Sequence, residues 1–272
     1  MTRRTLFIVL GAAAAAVAGI YGFRAFWPPA GAPVVRVPLV RSADQNVLLI
    51  TVDTLRGDAL GSYGGRAATP NLDALATDGV RFSFAHAHAV VTLPSHTSIL
   101  TGRYPFDHGV RDNTGYRVPD SVETLAEAAK RAGLATGAFV AAFPLDRRFG
   151  LNQGFDVYDD VGGLGKAEAD FSMSERRAET VVAAARKWTA EQSAAGRPWF
   201  AWVHVFDPHA GYAPPPPFSQ QYADNLYAGE VAYVDHALGP LLGDARTGTR
   251  PTTIILTSDH GEGLGEHGEM TH

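Results

Sequence analysis

The sequence predicts an α/β fold with a mostly parallel central sheet and helices on both faces, preceded by an N-terminal transmembrane helix. Three observations carry this. NVLLITV (Asn46–Val52), ATGAFVA (Ala135–Ala141), WFAWVHVF (Trp199–Phe206) and TTIILT (Thr252–Thr257) are short, apolar or β-branched runs, as expected of strands covered on both faces. Helical segments separate them, so successive strands need crossovers and pair in parallel. Arg3 and Arg4 near the N-terminus are followed by an uncharged stretch as far as Phe23.

Arg3 and Arg4 precede the uncharged run from Leu6 to Phe23. As a helix that run reaches about 27 Å, close to the thickness of the hydrocarbon core. Arginines at its start keep that end cytoplasmic and place the rest of the chain outside, periplasmic or extracellular. Arg24, Phe26 and Trp27 form an interfacial flank, which favours a retained anchor. A cleaved signal peptide is the alternative, because the alanine-rich centre is only weakly apolar. Residues 1–27 are thus an anchor or signal, and 28–44, rich in Pro and Ala, are a linker. The folded domain runs from 45 to 272.

Within it, Thr69–Thr77 reads as a helix with Thr69 as N-cap and Pro70 at its first position. Ser121–Ala132 is a second helix, closed by Gly133. Ser174–Ala190 is a long amphipathic helix, and Leu226–Leu242 is another. No helix covers the last strand before His272, so the chain is expected to be part of a longer protein.

At 272 residues and 46% hydrophobic, the chain can bury a real core. A net charge of -5 argues against nucleic acid as a partner. The absence of cysteine excludes disulfides, thiolate metal sites and a cysteine nucleophile. Oligomeric state is not legible.

Ligands of parallel sheets gather beyond the carboxyl ends of the strands. Asp53 follows the first strand, Asp207 and His209 the third, and Ser258, Asp259 and His260 the fourth. Asp53, Asp259 and His260 offer hard oxygens and one imidazole, a donor set for Ca²⁺, Zn²⁺, Mn²⁺ or Mg²⁺. Such a cation lowers the pKa of a coordinated hydroxyl. Thr92, in VTLPSHTSILTGR, is the hydroxyl best placed to be that ligand and nucleophile. Capping of the helix-compatible run that follows is its alternative role, and free N–H groups there would suit an anion. His209 could hold an anionic oxygen or protonate a leaving group. His267 and His272, in the terminal glycine-rich loop, are candidates for the substrate anion or a second metal; Arg56 and Arg103 are candidates for binding the anion or orienting the nucleophile, with a surface or structural role as the alternative. His204, inside a strand, reads as a buried, satisfied histidine, and His86 and His88 as loop residues.

The blocks VDTLRGD, TPNLDALATDGVRF, TLPSHTSILTGRYPFDHGVRDN, FGLNQGFDVYDD, HVFDPHAGYAPP and SDHGEGLGEHGE occur in this order. From about Asn46 to His272 the chain resembles the sulfatase-type branch of the alkaline phosphatase superfamily. The resemblance implies an alkaline-phosphatase-like three-layer sandwich with a metal at the strand ends and a covalent intermediate on the nucleophile. It makes Asp53, Thr92, Asp259 and His260 the metal ligands, with His209 and His272 on the transferred group. His272 stands where many relatives carry a lysine.

The departures are informative. Sulfatases of this type carry Cys or Ser at the Thr92 position, followed by x-Pro-x-Arg, and convert it to formylglycine. This chain reads Thr92-Leu93-Pro94-Ser95-His96, so that conversion is not expected and His96 replaces the arginine. Asp53-Thr54 stands where many sulfatases have paired aspartates. A threonine nucleophile shifts the expectation from sulfate toward phosphate esters, with hydrolysis or transfer to an acceptor. A non-catalytic, metal-stabilised binding or scaffold domain and a sulfatase using unmodified Thr92 are the alternatives.

Overall fold

The computed structural model describes residues 44–160, 175–269 and Thr271. The expected anchor, almost all of the linker and His272 lie outside the described residues. Among the described residues no helix is long and apolar enough to cross a membrane.

The core is one five-stranded sheet. Its strands are β1 (Asn46–Val52), β2 (Ala135–Phe139), β3 (Val157–Asp159), β4 (Trp199–Val205) and β5 (Thr252–Ser258). They lie in the order β3-β2-β4-β1-β5, and every pairing is parallel. The four expected strands are all present. β3 was not expected: it has three residues and pairs only with β2, too short a run to stand out in sequence.

β4 is buried along its whole length, and β1 except at Val47. This is why both read as continuous apolar runs rather than alternating ones. β5 lies at the sheet edge and alternates half-buried with exposed residues over its first five positions.

Seven helices of the described residues pack around the sheet: α1 (Pro70–Asp78), α2 (Thr92–Thr101), α3 (Pro105–His108), α4 (Leu125–Arg131), α5 (Ala178–Ala194), α6 (Phe218–Gln221) and α7 (Leu226–Thr247). α5 covers one face. Trp188 lies over Gly137 of β2 so closely that a Cβ there would sit 3.0 Å from the indole. α2 covers the other face, where His96 bonds Thr51 of β1. Alternation along the strands sends neighbouring residues to these opposite sides.

α5 runs Ala178–Ala194 where Ser174–Ala190 was expected, Ser174 lying outside the described residues, and two other helix boundaries moved for local reasons. α4 starts at Leu125 rather than Ser121, because Thr124 and Glu127 form a reciprocal capping box: each side chain accepts from the other's backbone N–H. α7 continues through Pro240 to Thr247, its inner face buried. Thr69 caps α1 in position but not by side chain. Its hydroxyl accepts from Gly61 N–H and donates to Asp73 Oδ1.

Candidate active site

The strand order places β1 between β4 and β5, so the three chain segments leaving them emerge side by side. Val52 is in register with Ser258, which makes Asp53 and Asp259 neighbours one step beyond the sheet. On the other side Thr51 pairs with His204, and Asp53 N–H donates to Val205 O at 3.0 Å. One ligand atom each from Asp53, Asp259 and His260 lies within 4.8 Å of the others. His260 Nε2 is 3.3 Å from Asp259 Oδ2 and 3.6 Å from Asp53 Oδ1. Register thus brings Asp53 and Asp259 together, and the turn after β5 adds His260 to form a group that could hold a metal ion.

The loop after β1 is bent to fit. Thr54 has a φ of 51°, a left-handed conformation unusual for a β-branched residue. It aims its N–H at Asp259 Oδ1 (3.3 Å), where His260 N–H also donates (2.9 Å). The Thr54 hydroxyl donates to Pro208 O, and Tyr227 donates to Thr54 O at 2.9 Å. Thr54 is thus committed to backbone on the β4 side.

The electrostatics ask for a cation. Asp53 and Asp259 are 0% and 1% exposed, and Asp53 Oδ1 and Oδ2 and Asp259 Oδ2 have no hydrogen-bond partner. Burial first, then repulsion from Glu262, pushes the Asp53 carboxyl well above the usual carboxylate range. Burial and then Asp53 do the same to Asp259. Two adjacent buried carboxylates cost several kcal/mol each unless compensated. Bare oxygens with an imidazole beside them match the donors of a divalent ion, so the residues fit the group the sequence implied.

Thr92 opens α2, buried, with Gly102 closing the helix in a left-handed conformation. Val91 is the N-cap, and no side chain caps this end, so the alternative capping role for Thr92 is not found. Its first turn is fixed to the metal set. Ser95 Oγ donates to Asp259 O at 2.5 Å, and His96 Nδ1 lies 2.8 Å from Thr92 O and 3.5 Å from Asp259 Oδ2. Trp202 Nε1–H donates to Thr51 Oγ1, whose hydroxyl donates to His96 Nε2, both at 3.0 Å. His96 is left neutral with its proton on Nδ1, donated to Thr92 O. Burial depresses its pKa well below the usual value, and His204 lowers it further.

The expected anion pocket of free helix N–H groups is mostly used up. Leu93 N–H donates to Asn113 Oδ1 at 2.7 Å, Pro94 has none, and Ser95 N–H bonds Val91 O at 3.2 Å. Among the described hydrogen bonds only Thr92 N–H of this turn is left over. Asn113 escaped the sequence reading, though it lies in the HGVRDN block.

His209 is half-buried, stacked on Phe206 with ring centroids 4.2 Å apart. Glu230 of α7 holds its loop, accepting from His209 N–H at 3.2 Å and Ala213 N–H at 2.7 Å. Asp207 turns away: Oδ2 accepts from Ala178 N–H at the start of α5, at 3.2 Å. It serves that helix end, not the metal set.

Arg56 is already engaged, paired with Asp58 through two bonds of 2.8 and 2.9 Å and with Glu266 at 2.9 Å. Those carboxylates raise its pKa further. His267 is exposed on the glycine loop, with φ 59°. Arg103, His86 and His88 are exposed, and His272 lies outside the described residues.

His204 differs from expectation. It is fully buried, but only Nδ1 is satisfied, by Ala141 N–H at 3.4 Å. Nε2 has no hydrogen bond within the usual limits and lies 3.4 Å from Asp53 Oδ2.

The chain has relatives in both sequence and fold. The chain is 26% identical over 265 residues to the N-acetylgalactosamine-6-sulfatase of Canis lupus familiaris, covering 80% of this chain and 50% of that protein. It is 28% identical over 270 residues to an ulvan-active sulfatase of Formosa agariphila, covering 81% and 51%. The chain spans about half the length of these curated relatives. Its backbone superimposes on a phosphonate monoester hydrolase of Agrobacterium radiobacter with a TM-score of 0.68 at 23% identity, over 81% of this chain and 63% of that one. That match supports the α/β fold. The family model for the sulfatase domain matches residues 45–272, the whole segment that builds the sheet and its acidic edge, and the chain belongs to the sulfatase family.

Proposed function

We propose that the chain carries the nucleophile and metal set of a metal-dependent hydrolase or transferase of phosphate or sulfate esters, exported and held at the membrane by its N-terminal segment. The convergence of β1, β5 and the first turn of α2 on one acidic, imidazole-bearing edge carries this reading. Sulfatases among the relatives and a phosphonate monoester hydrolase among the fold neighbours support the ester chemistry.

Asp53, Asp259 and His260, with the Thr92 hydroxyl, would hold the divalent ion, be it Ca²⁺, Zn²⁺, Mn²⁺ or Mg²⁺. When bound, that ion supplies Lewis acidity, favouring the alkoxide form of a hydroxyl and drawing charge from the ester oxygens. Thr92 Oγ1 attacks phosphorus or sulfur in line, forming an ester on threonine as the bond to the leaving oxygen breaks. His209 protonates that oxygen or holds a non-bridging one. Thr92 N–H donates to developing negative charge. Water or an acceptor hydroxyl then releases the group from Thr92. Threonine instead of cysteine favours phosphate over sulfate, because the aldehyde route needs a modified cysteine or serine. Arg56, bound to Glu266, shapes the glycine loop rather than meeting substrate directly.

The test is Thr92→Ala in the full chain, assayed on aryl phosphates, phosphodiesters, phosphonates and sulfates. Abolished turnover with metal still bound is expected. Unchanged turnover removes Thr92 from the chemistry. Bound metal with no turnover in the wild type leaves a metal-stabilised binding domain.

A further inference from the structure

We propose that His204 is a positioning residue for the metal site: its Nε2–H donates to Asp53 Oδ2 and fixes that carboxylate toward the cation, without binding the metal itself. This rests on the reading of Asp53, Asp259 and His260 as the metal set.

The placement follows from register. His204 pairs with Thr51, two residues before Asp53, so all three side chains leave the same face of the sheet. The ring is 0% exposed and lies edge-on against His96, with centroids 4.9 Å apart. It therefore has little freedom to turn.

The tautomer decides the role. Ala141 N–H donates to Nδ1, so the neutral ring carries its proton on Nε2. Nε2 lies 3.4 Å from Asp53 Oδ2, and neither atom has a hydrogen bond within the usual limits, so a small shift brings the donor and the bare oxygen together. A metal-binding Nε2 would need its lone pair free and the proton on Nδ1, where it would oppose Ala141 N–H. His204 thus acts behind the carboxylate, the place from which outer partners orient metal ligands. His96 occupies the matching place behind Asp259, 3.5 Å from Oδ2, but spends its Nδ1–H on Thr92 O. The two touching imidazoles divide the work: one aims Asp53, the other fixes the turn that carries Thr92.

Asparagine and glutamine separate this role from simple packing. The amide nitrogen of His204→Gln reaches the position of Nε2, whereas that of His204→Asn stops near Nδ1. Mn²⁺ affinity of the full chain is measured by calorimetry with a competing chelator, and metal-free folding by circular dichroism. Cobalt-substituted protein gives a visible spectrum that reports the ligand set. His204→Asn should weaken Mn²⁺ binding about 10–100-fold, the usual effect of losing an outer partner, and His204→Gln should recover most of it. The Co²⁺ band positions should stay those of wild type in both. His204→Asn binding as tightly as wild type overturns the inference. So does a Co²⁺ spectrum showing a lost nitrogen ligand. A wild type that binds no divalent ion overturns the metal reading itself, and this inference with it.

Discussion

Glu230 ties the pH dependence of stability to the loop that carries His209. It is 4% exposed, and burial lifts its pKa from 4.5 to about 7 despite hydrogen bonds from Ala213 and His209 N–H. Between those two pH values the folded chain keeps a proton that the unfolded chain releases. Protonation therefore favours folding: the contribution is complete below pH 4.5 and is lost as pH rises through about 7. The shift corresponds to about 3 kcal/mol, a large share of a domain's net stability. Glu230→Gln cannot titrate and loses this dependence, although one of its two amide positions will face a backbone N–H that wants an acceptor. Urea unfolding of both proteins across this range, with chelator present, isolates the effect. Other carboxyls cancel in the difference between the two curves. Wild type should lose about 3 kcal/mol relative to the variant between pH 4.5 and about 8. Parallel curves would refute the idea that Glu230 is driven toward neutrality by its surroundings.

Three other outcomes follow from the site. A saturating divalent ion at about 100 times its Kd should stabilise wild type by about 2.7 kcal/mol, raising its thermal midpoint above that in EDTA. Asp53→Asn should melt identically with and without EDTA, and above EDTA-treated wild type, because it removes a buried charge beside Asp259; a retained metal response would place the ion elsewhere. Asn113→Ala leaves Leu93 N–H without its 2.7 Å acceptor and should cost about 1 kcal/mol in urea unfolding, as loss of a helix N-terminal partner does. An unchanged midpoint would show that this turn of α2 is held by Ser95 and His96 instead.

The readable parts of the chain were those whose physics is local. The runs Asn46–Val52 and Trp199–Phe206 announced buried strands because both faces of β1 and β4 are covered. The acids following them were recognised because parallel strands expose their carboxyl ends together. The capping box at Thr124 and Glu127 was also present in the letters, and it moved the start of α4 by four residues from the apolar pattern alone.

What the letters could not contain was adjacency. Asp207, His209 and Asp259 all lie just beyond strand ends, and the sequence assigned Asp259 to the metal and His209 to the anion but left Asp207 without a role. The order β4-β1-β5 makes Asp53 and Asp259 neighbours, while the turn after β4 sends Asp207 back to Ala178 at the start of α5. Arg56 looked like a free cation until the glycine loop brought Glu266 against it. His204 looked like packing because an inward strand position is apolar by default, and only its register opposite Thr51 aims it at Asp53. Sequence alone determined the α/β class, the strand ends and the types of donor, since periodicity and composition act over a few residues. Tertiary structure decided which donors meet and which way their protons point, because hydrogen bonds and charges are settled over distances of a few ångströms between residues as far apart in sequence as Arg56 and Glu266.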